Sequence, residues 1–157
     1  MLEPPKKKSY SPELALIKAR AYCVYQERSH QEVRNKLYEW GLWKDNVESA
    51  ISQLITEGFI NEERFAITYA GGKFRIKKWG RVKIKIALKE KRVSDYCIRK
   101  ALSAIENSDY LDVLKSVLAA KSKTVKESNP RKKNYKVAQY AISRGFESEL
   151  VWEVLNV

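Results

Sequence analysis

Histidine is almost missing from this chain. His30 stands alone among 157 residues, and one imidazole cannot build a multi-histidine metal site. Lying just after Ser29, it reads as an exposed first-turn helical residue rather than a catalytic base. Cysteine is nearly as scarce: Cys23 and Cys97 make no CxxC and have no histidine near them in sequence. They read as small buried apolar residues, not as ligands or a disulfide. No apolar run approaches the roughly 18 residues of a membrane span. The opening Met-Leu-Glu-Pro-Pro-Lys-Lys-Lys has no signal-peptide core. Together these absences predict a cytoplasmic protein with no multi-histidine metal site and no membrane span. Acids are also outnumbered, with 19 Asp and Glu against 31 Lys and Arg, a net charge of +12. That excess favours polyanionic or acidic partners and salt-sensitive binding.

What the chain does have is an internal repeat. Val33, Leu37, Leu42, Val47, Ile51 and Leu54 are echoed 51 residues later by Ile84, Leu88, Val93, Ile98, Leu102 and Ile105. A looser copy, offset by 104, places Val137, Ala141, Phe146, Val151 and Leu155, with Gly145 at the place of Gly41. Units of this kind must stack to bury a core, so the repeat predicts a long binding surface rather than one pocket. At this length about 70% of the unfolded chain's surface can be buried without a disulfide or metal staple.

Helix signals set the units. Residues 1–10 read as a disordered Pro- and Lys-rich basic tail. Ser11-Pro12-Glu13 opens a helix whose expected buried stripe is Leu14, Ile17, Ala21 and Val24. Ser29-x-x-Glu32 and Asp45-x-x-Glu48 are capping-box patterns starting two more helices, stopped by Gly41 and Gly58. Asn61 caps a helix with Phe65, Tyr69 and Phe74 inward, weakened or bent at Gly71-Gly72. Arg81–Leu88 alternates like a strand. The equivalent Gln31–Trp40 does not, so the repeat predicts a helix burying Ile84 and Leu88. Ser94 or Asp95 caps the sixth helix. The third unit begins at Asp109 with Leu111, Leu114 and Leu118, crosses a Lys- and Ser-rich connection at 121–129, and resumes at Asn129-Pro130. The expectation is an all-α fold of nine helices: three tandem three-helix repeats at 11–58, 59–107 and 108–157, forming an elongated, curved array.

No catalytic constellation emerges, and the chain reads as a non-enzyme. Gly71-Gly72-Lys73 lacks the spacing of a phosphate loop and follows a helix, not a strand. Acid pairs such as Glu62-Glu63 sit at helix starts, where the macrodipole explains them. The basic residues are more informative. From Lys73 to Arg92 there are ten, with Glu90 the sole acid. A second cluster runs from Lys121 to Lys136. A solvated face is the ordinary explanation of a charge run, but this density of like charge points to a polyanion or an acidic protein surface. The candidate contact residues are Lys73, Arg75, Lys77, Lys78, Arg81, Lys83 and Lys85, with Lys132, Lys133 and Lys136 second. Trp79, Tyr96 and Tyr135 lie nearby for base stacking, with packing as the competing role. Charge alone leaves direct DNA or RNA binding and docking on an acidic protein both open. Nothing marks a base-reading recognition helix.

The stretch Gly58-Phe59-Ile60-Asn61-Glu62-Glu63-Arg64-Phe65-Ala66-x-x-Tyr69, continued by Trp79-Gly80-x-x-x-Ile84-x-x-x-Leu88-x-x-Lys91, resembles the RecX regulatory family. Ser29, Glu32, Val33, Lys36 and Leu37 match the family's first-repeat run. The resemblance covers about residues 12–155. It implies a bacterial cytosolic protein of recombination and DNA repair that binds the RecA recombinase, lies in the groove of the RecA–DNA filament, and limits ATP hydrolysis, strand exchange and coprotease activity. It implies no cofactor or catalytic residue, and the expected state is a monomer. Three departures stand out: Asn61-Glu62 replaces two aspartates, Ala70–Lys73 replaces a more Arg-rich run, and Arg92 follows Lys91 where glycine is usual. The alternative function is a basic helical module that binds single- or double-stranded DNA without RecA; a weaker third is a helical adaptor for an acidic protein.

Overall fold

The computed structural model describes residues 9–156, all helix and connecting turn among those residues. In order the helices are α1 (Pro12–Tyr25), α2 (His30–Glu39), α3 (Lys44–Thr56), α4 (Glu62–Lys77), α5 (Arg81–Glu90), α6 (Asp95–Ser103), α7 (Asn107–Thr124), α8 (Pro130–Ser143) and α9 (Ser148–Leu155). The chain divides into two compact units, Met1–Phe65 with Lys91–Val93, and Ala66–Glu90 with Ser94–Val157. Residues 1–8 of the expected tail lie outside the described residues. Ser9 and Tyr10, assigned to that tail from sequence, are described, and the Tyr10 amide donates to the Trp40 carbonyl at 3.0 Å.

The first unit is built on the repeat skeleton. Val33, Leu37, Leu42, Val47, Ile51 and Leu54 are all buried, together with Ala15, Ala19, Cys23, Ala50 and Ile60. Full burial of each large aliphatic contributes about 1.5–3 kcal/mol. Tyr10 and Tyr22 meet Trp40 edge-on at its margin. The Ser11 hydroxyl caps α1, and both halves of the Ser29/Glu32 capping box are formed. Arg20 holds Glu57 through two 2.8 Å bonds, tying α1 to the end of α3. That contact pulls the Glu57 carboxyl down to about 2. Burial pushes the Cys23 thiol up to about 11, so it stays protonated at neutral pH.

Two expectations for this unit are corrected. The buried face of α1 is Ala15, Ala19 and Cys23, while Leu14, Ile17, Ala21 and Val24 face outward. Both sets have helical spacing, and the small residues win because they let the helix lie close against its neighbours. The Asp45-x-x-Glu48 box does not form either. α3 starts at Lys44 with Trp43 as its N-cap and no side-chain cap bond. Glu48 turns instead to Arg34, at 2.8 Å.

α4, which belongs to the second unit from Ala66 onward, runs unbroken through Gly71-Gly72; at its start the Asn61 side-chain oxygen accepts from the Arg64 amide at 2.8 Å. The helix continues past the glycines to Lys77. The Arg75 guanidinium lies so close to Gly71 that a Cβ there would meet it at 2.7 Å. Arg81–Leu88 is helical despite its strand-like alternation, and Ile84 and Leu88 are its buried pair, as the repeat predicts. Ser94 caps α6 and Asn129 caps α8. α7 begins two residues before Asp109 and reaches Thr124, into the expected connection.

The turn between the second and third helix of each repeat uses a left-handed residue. Gly41 has φ +89°, Gly145 has φ +99°, and the equivalent Arg92 has φ +60°. Arg92 therefore bears steric strain that glycine avoids. Arg92→Gly is expected to stabilise the protein by about 0.5–1 kcal/mol, raising the urea midpoint at constant slope. A lower midpoint would count against this reading of the turn.

Candidate functional site on the second unit

Charge divides sharply between the units. The described residues of the first carry nine Lys and Arg against nine Asp and Glu, a net zero. Those of the second carry nineteen against nine, a net +10. Nearly the whole imbalance of the chain thus belongs to one unit, and the candidate residues lie within it.

The corner between α4 and α5 organises the first group. Lys78, the residue after α4, takes a left-handed conformation, φ +55°. Its amide donates to the Phe74 carbonyl at 3.1 Å and the Trp79 amide to the Lys73 carbonyl at 3.2 Å. Half-buried Trp79 has the Lys73 ammonium 5.0 Å and the Lys83 ammonium 4.6 Å from its ring centre. Lys77, Lys78 and Lys85 are exposed. Arg75 is exposed too, but its guanidinium turns back along its own helix onto Gly71. Arg81 is taken up inside the unit: its guanidinium donates to the Ile105 carbonyl at 3.0 Å and to Asn107 at 2.9 Å, and stacks over the Tyr110 ring. In the second group, on α8, Lys132 is exposed and Lys133 half-buried, while Lys136 pairs with Glu127 at 3.2 Å.

Two features that hold this corner are not legible in the sequence. The Gly80 amide donates to the Arg144 carbonyl, and the Val82 amide to the Gly145 carbonyl, both at 2.9 Å. Arg144 also donates to the Lys77 carbonyl. Beneath them Tyr110, 1% exposed, accepts from the Arg81 amide at 3.0 Å and donates to Glu147 at 2.7 Å. Its ring stacks on Phe74 and tilts against Phe146. Burial is the main cause that drives the Tyr110 hydroxyl well above its ordinary ionisation range. The buried tyrosine therefore carries the first residues of α5 on a fixed platform.

A cavity of about 420 Å³ in the same unit is lined by Ile67, Phe74, Arg75, Ile105, Asp109 and Asp112 among others. Among the described residues no three His, Cys, Asp or Glu gather to hold a metal ion, and no helix is long and apolar enough to cross a membrane.

Residues 61–102 match the family description "RecX, second three-helix domain" and residues 108–155 match "RecX, third three-helix domain". The chain is 30% identical over 145 residues to the regulatory protein RecX of Clostridium acetobutylicum, covering 88% of this chain and 67% of that protein. The chain belongs to the RecX family. It is also 26% identical over 142 residues to the regulatory protein RecX of Prosthecochloris aestuarii, covering 90% and 91% of the two chains. Against the Clostridium perfringens (strain 13) RecX it spans only 57% of that protein's length. The crystal structure of RecX from Lactobacillus salivarius shares the fold, with a TM-score of 0.85 at 21% identity, over 92% of this chain and 94% of that one. All-helical, three-helix units are thus the RecX architecture, and the strand-like α5 is a helix within the matched second domain.

Proposed function

We propose that this RecX protein regulates the RecA recombinase by binding the RecA–DNA filament through its second unit, mainly inhibiting ATP hydrolysis, strand exchange and coprotease activity. It acts as a non-enzymatic cytoplasmic monomer. The observation that carries this reading is the partition of charge, with net zero on the first unit and +10 on the second. Exposed Lys77, Lys78, Lys85 and Lys132 suit DNA phosphates and acidic protein surfaces alike. The mechanism is steric and electrostatic: a bound copy slows exchange and turnover of recombinase protomers and performs no bond chemistry. Titration into a RecA–single-stranded-DNA ATPase assay tests it. Inhibition is expected at concentrations too low to coat bare DNA, and its absence there would sink the reading.

Direct nucleic-acid binding without RecA is the second reading, favoured by Trp79 beside the Lys73 and Lys83 ammoniums. In either mode, replacing Lys77, Lys78 and Lys85 by Gln should weaken binding to DNA. Each lost phosphate contact reduces the log–log salt slope by about 0.9 for duplex and about 0.7 for single strands. An unchanged slope in fluorescence anisotropy would remove these lysines from the interface.

A further inference from the structure

The strand-like alternation of α5 has a physical consequence once the segment is wound as a helix. Apolar residues spaced by two cannot all share one helical face, since successive side chains lie 100° apart. Ile84 and Leu88 go inward, and Val82 and Ile86 are left outside, 45% and 54% exposed. These two are four residues apart and so adjacent on the surface. Lys85 and Lys89, also exposed and four apart, run along one side of them. The outer face of α5 is therefore an aliphatic ridge with a lysine edge.

A nucleic acid matches the lysines better than the ridge: phosphates pair with the lysines, and single-stranded bases stack mainly on aromatic rings rather than on branched aliphatics. A protein segment with apolar side chains on one face and Asp or Glu beside them matches both parts at once, in the manner of an amphipathic helix laid along a surface. We propose that the outer face of α5 docks an acidic amphipathic segment of a protein partner, with Val82 and Ile86 as the apolar anchors and Lys85 and Lys89 as the charge pairs. The inference rests on the RecA reading in taking the recombinase as that partner, and it sets the aliphatic protein-binding ridge beside the lysine-rich α4–α5 corner, with Lys85 common to both.

The test compares the 157-residue protein with V82S/I86S and K85Q/K89Q. Binding is measured to RecA without DNA, and to fluorescein-labelled (dT)30 without RecA. The serine pair removes no charge and changes only exposed side chains; thermal melts check that each variant is folded. V82S/I86S is expected to weaken RecA binding about tenfold while changing (dT)30 binding less than about twofold, as loss of apolar anchors does at a protein interface. K85Q/K89Q is expected to weaken RecA binding as well. Unchanged RecA binding by V82S/I86S, or an equal loss on (dT)30, would overturn the proposal. If the wild-type protein does not bind RecA at all, the RecA reading fails by itself. The docking face is then decided with a labelled Glu-Leu-Glu-Glu-Leu-Phe-Glu-Glu peptide and its Gln-for-Glu control. Binding that needs both the acids and Ile86 with Val82 supports the face, and binding independent of either, or none, overturns it.

Discussion

Gly80→Ala is expected to cost about 3 kcal/mol or more. A methyl group there would lie 2.2 Å from the carbonyl carbon and oxygen of Gly145 and 2.3 Å from the Phe146 nitrogen. These are backbone atoms, so no side-chain rotation relieves the clash; the α8–α9 turn itself must move. Overpacking typically costs 1–3 kcal/mol. Separation of the two turns also disturbs the Gly80–Arg144 and Val82–Gly145 hydrogen bonds, each contributing about 1 kcal/mol. At this chain length the melting temperature should fall by roughly 10 °C. Gly72→Ala is the matched control. Beyond its chain neighbours and its own helix backbone, no atom lies within 4 Å of the added methyl, and the residue sits inside α4. Replacing a mid-helix glycine there should add about 0.5–1 kcal/mol. Urea melts that rank the two variants equally would refute the close approach as the cause.

Tyr110 carries the other large effect. Tyr110→Ala removes a buried ring packed against Phe74, Phe146 and the Arg81 guanidinium, and should cost about 3–5 kcal/mol. Tyr110→Phe keeps the ring but leaves the Arg81 amide and Glu147 without the hydroxyl, costing about 1–3 kcal/mol. The same hydroxyl gives a pH signature. Its ionisation is raised in the folded protein, so the unfolded chain releases this proton first as pH rises. Stability from this group is fully present below about pH 10, the ordinary tyrosine value, and declines above it. Chemical denaturation between pH 8 and 11 should show a steeper alkaline loss in the wild type than in Tyr110→Phe. Parallel curves would contradict that origin.

The helices were legible because several kinds of local signal agree on them. Caps at Ser11, Ser29, Asn61, Ser94 and Asn129 mark starts, and Gly41, Gly58 and Gly145 mark ends. α5 was legible only through the repeat, since its own alternation argued for a strand. The sequence points to the wrong face of α1 because Leu14–Val24 is the more hydrophobic of two stripes with the same period, whereas the packing uses Ala15, Ala19 and Cys23. The candidate site was visible as a density of charge along the chain, which needs no tertiary structure. The direction each cation takes does need it. Arg81 turns inward because Asn107 and the Ile105 carbonyl, 24 to 26 residues later, converge on it. The clamp between Gly80 and Gly145 joins residues 65 apart, and no local pattern announces it.

The three turn positions also differ in how readily each takes a side chain. At position 92 an arginine already occupies a left-handed conformation, and only local torsional strain resists it. At Gly41 a new methyl would press on Ser9 at 3.1 Å, a close but yielding neighbour. At Gly145 it would strike the Lys83 Cβ at 2.3 Å and the Lys83 nitrogen at 2.7 Å. One turn geometry thus comes with three different degrees of mutational freedom. Two copies hold their glycine or its substitute by the shape of a turn; the third holds it because another part of the chain has come to rest on it.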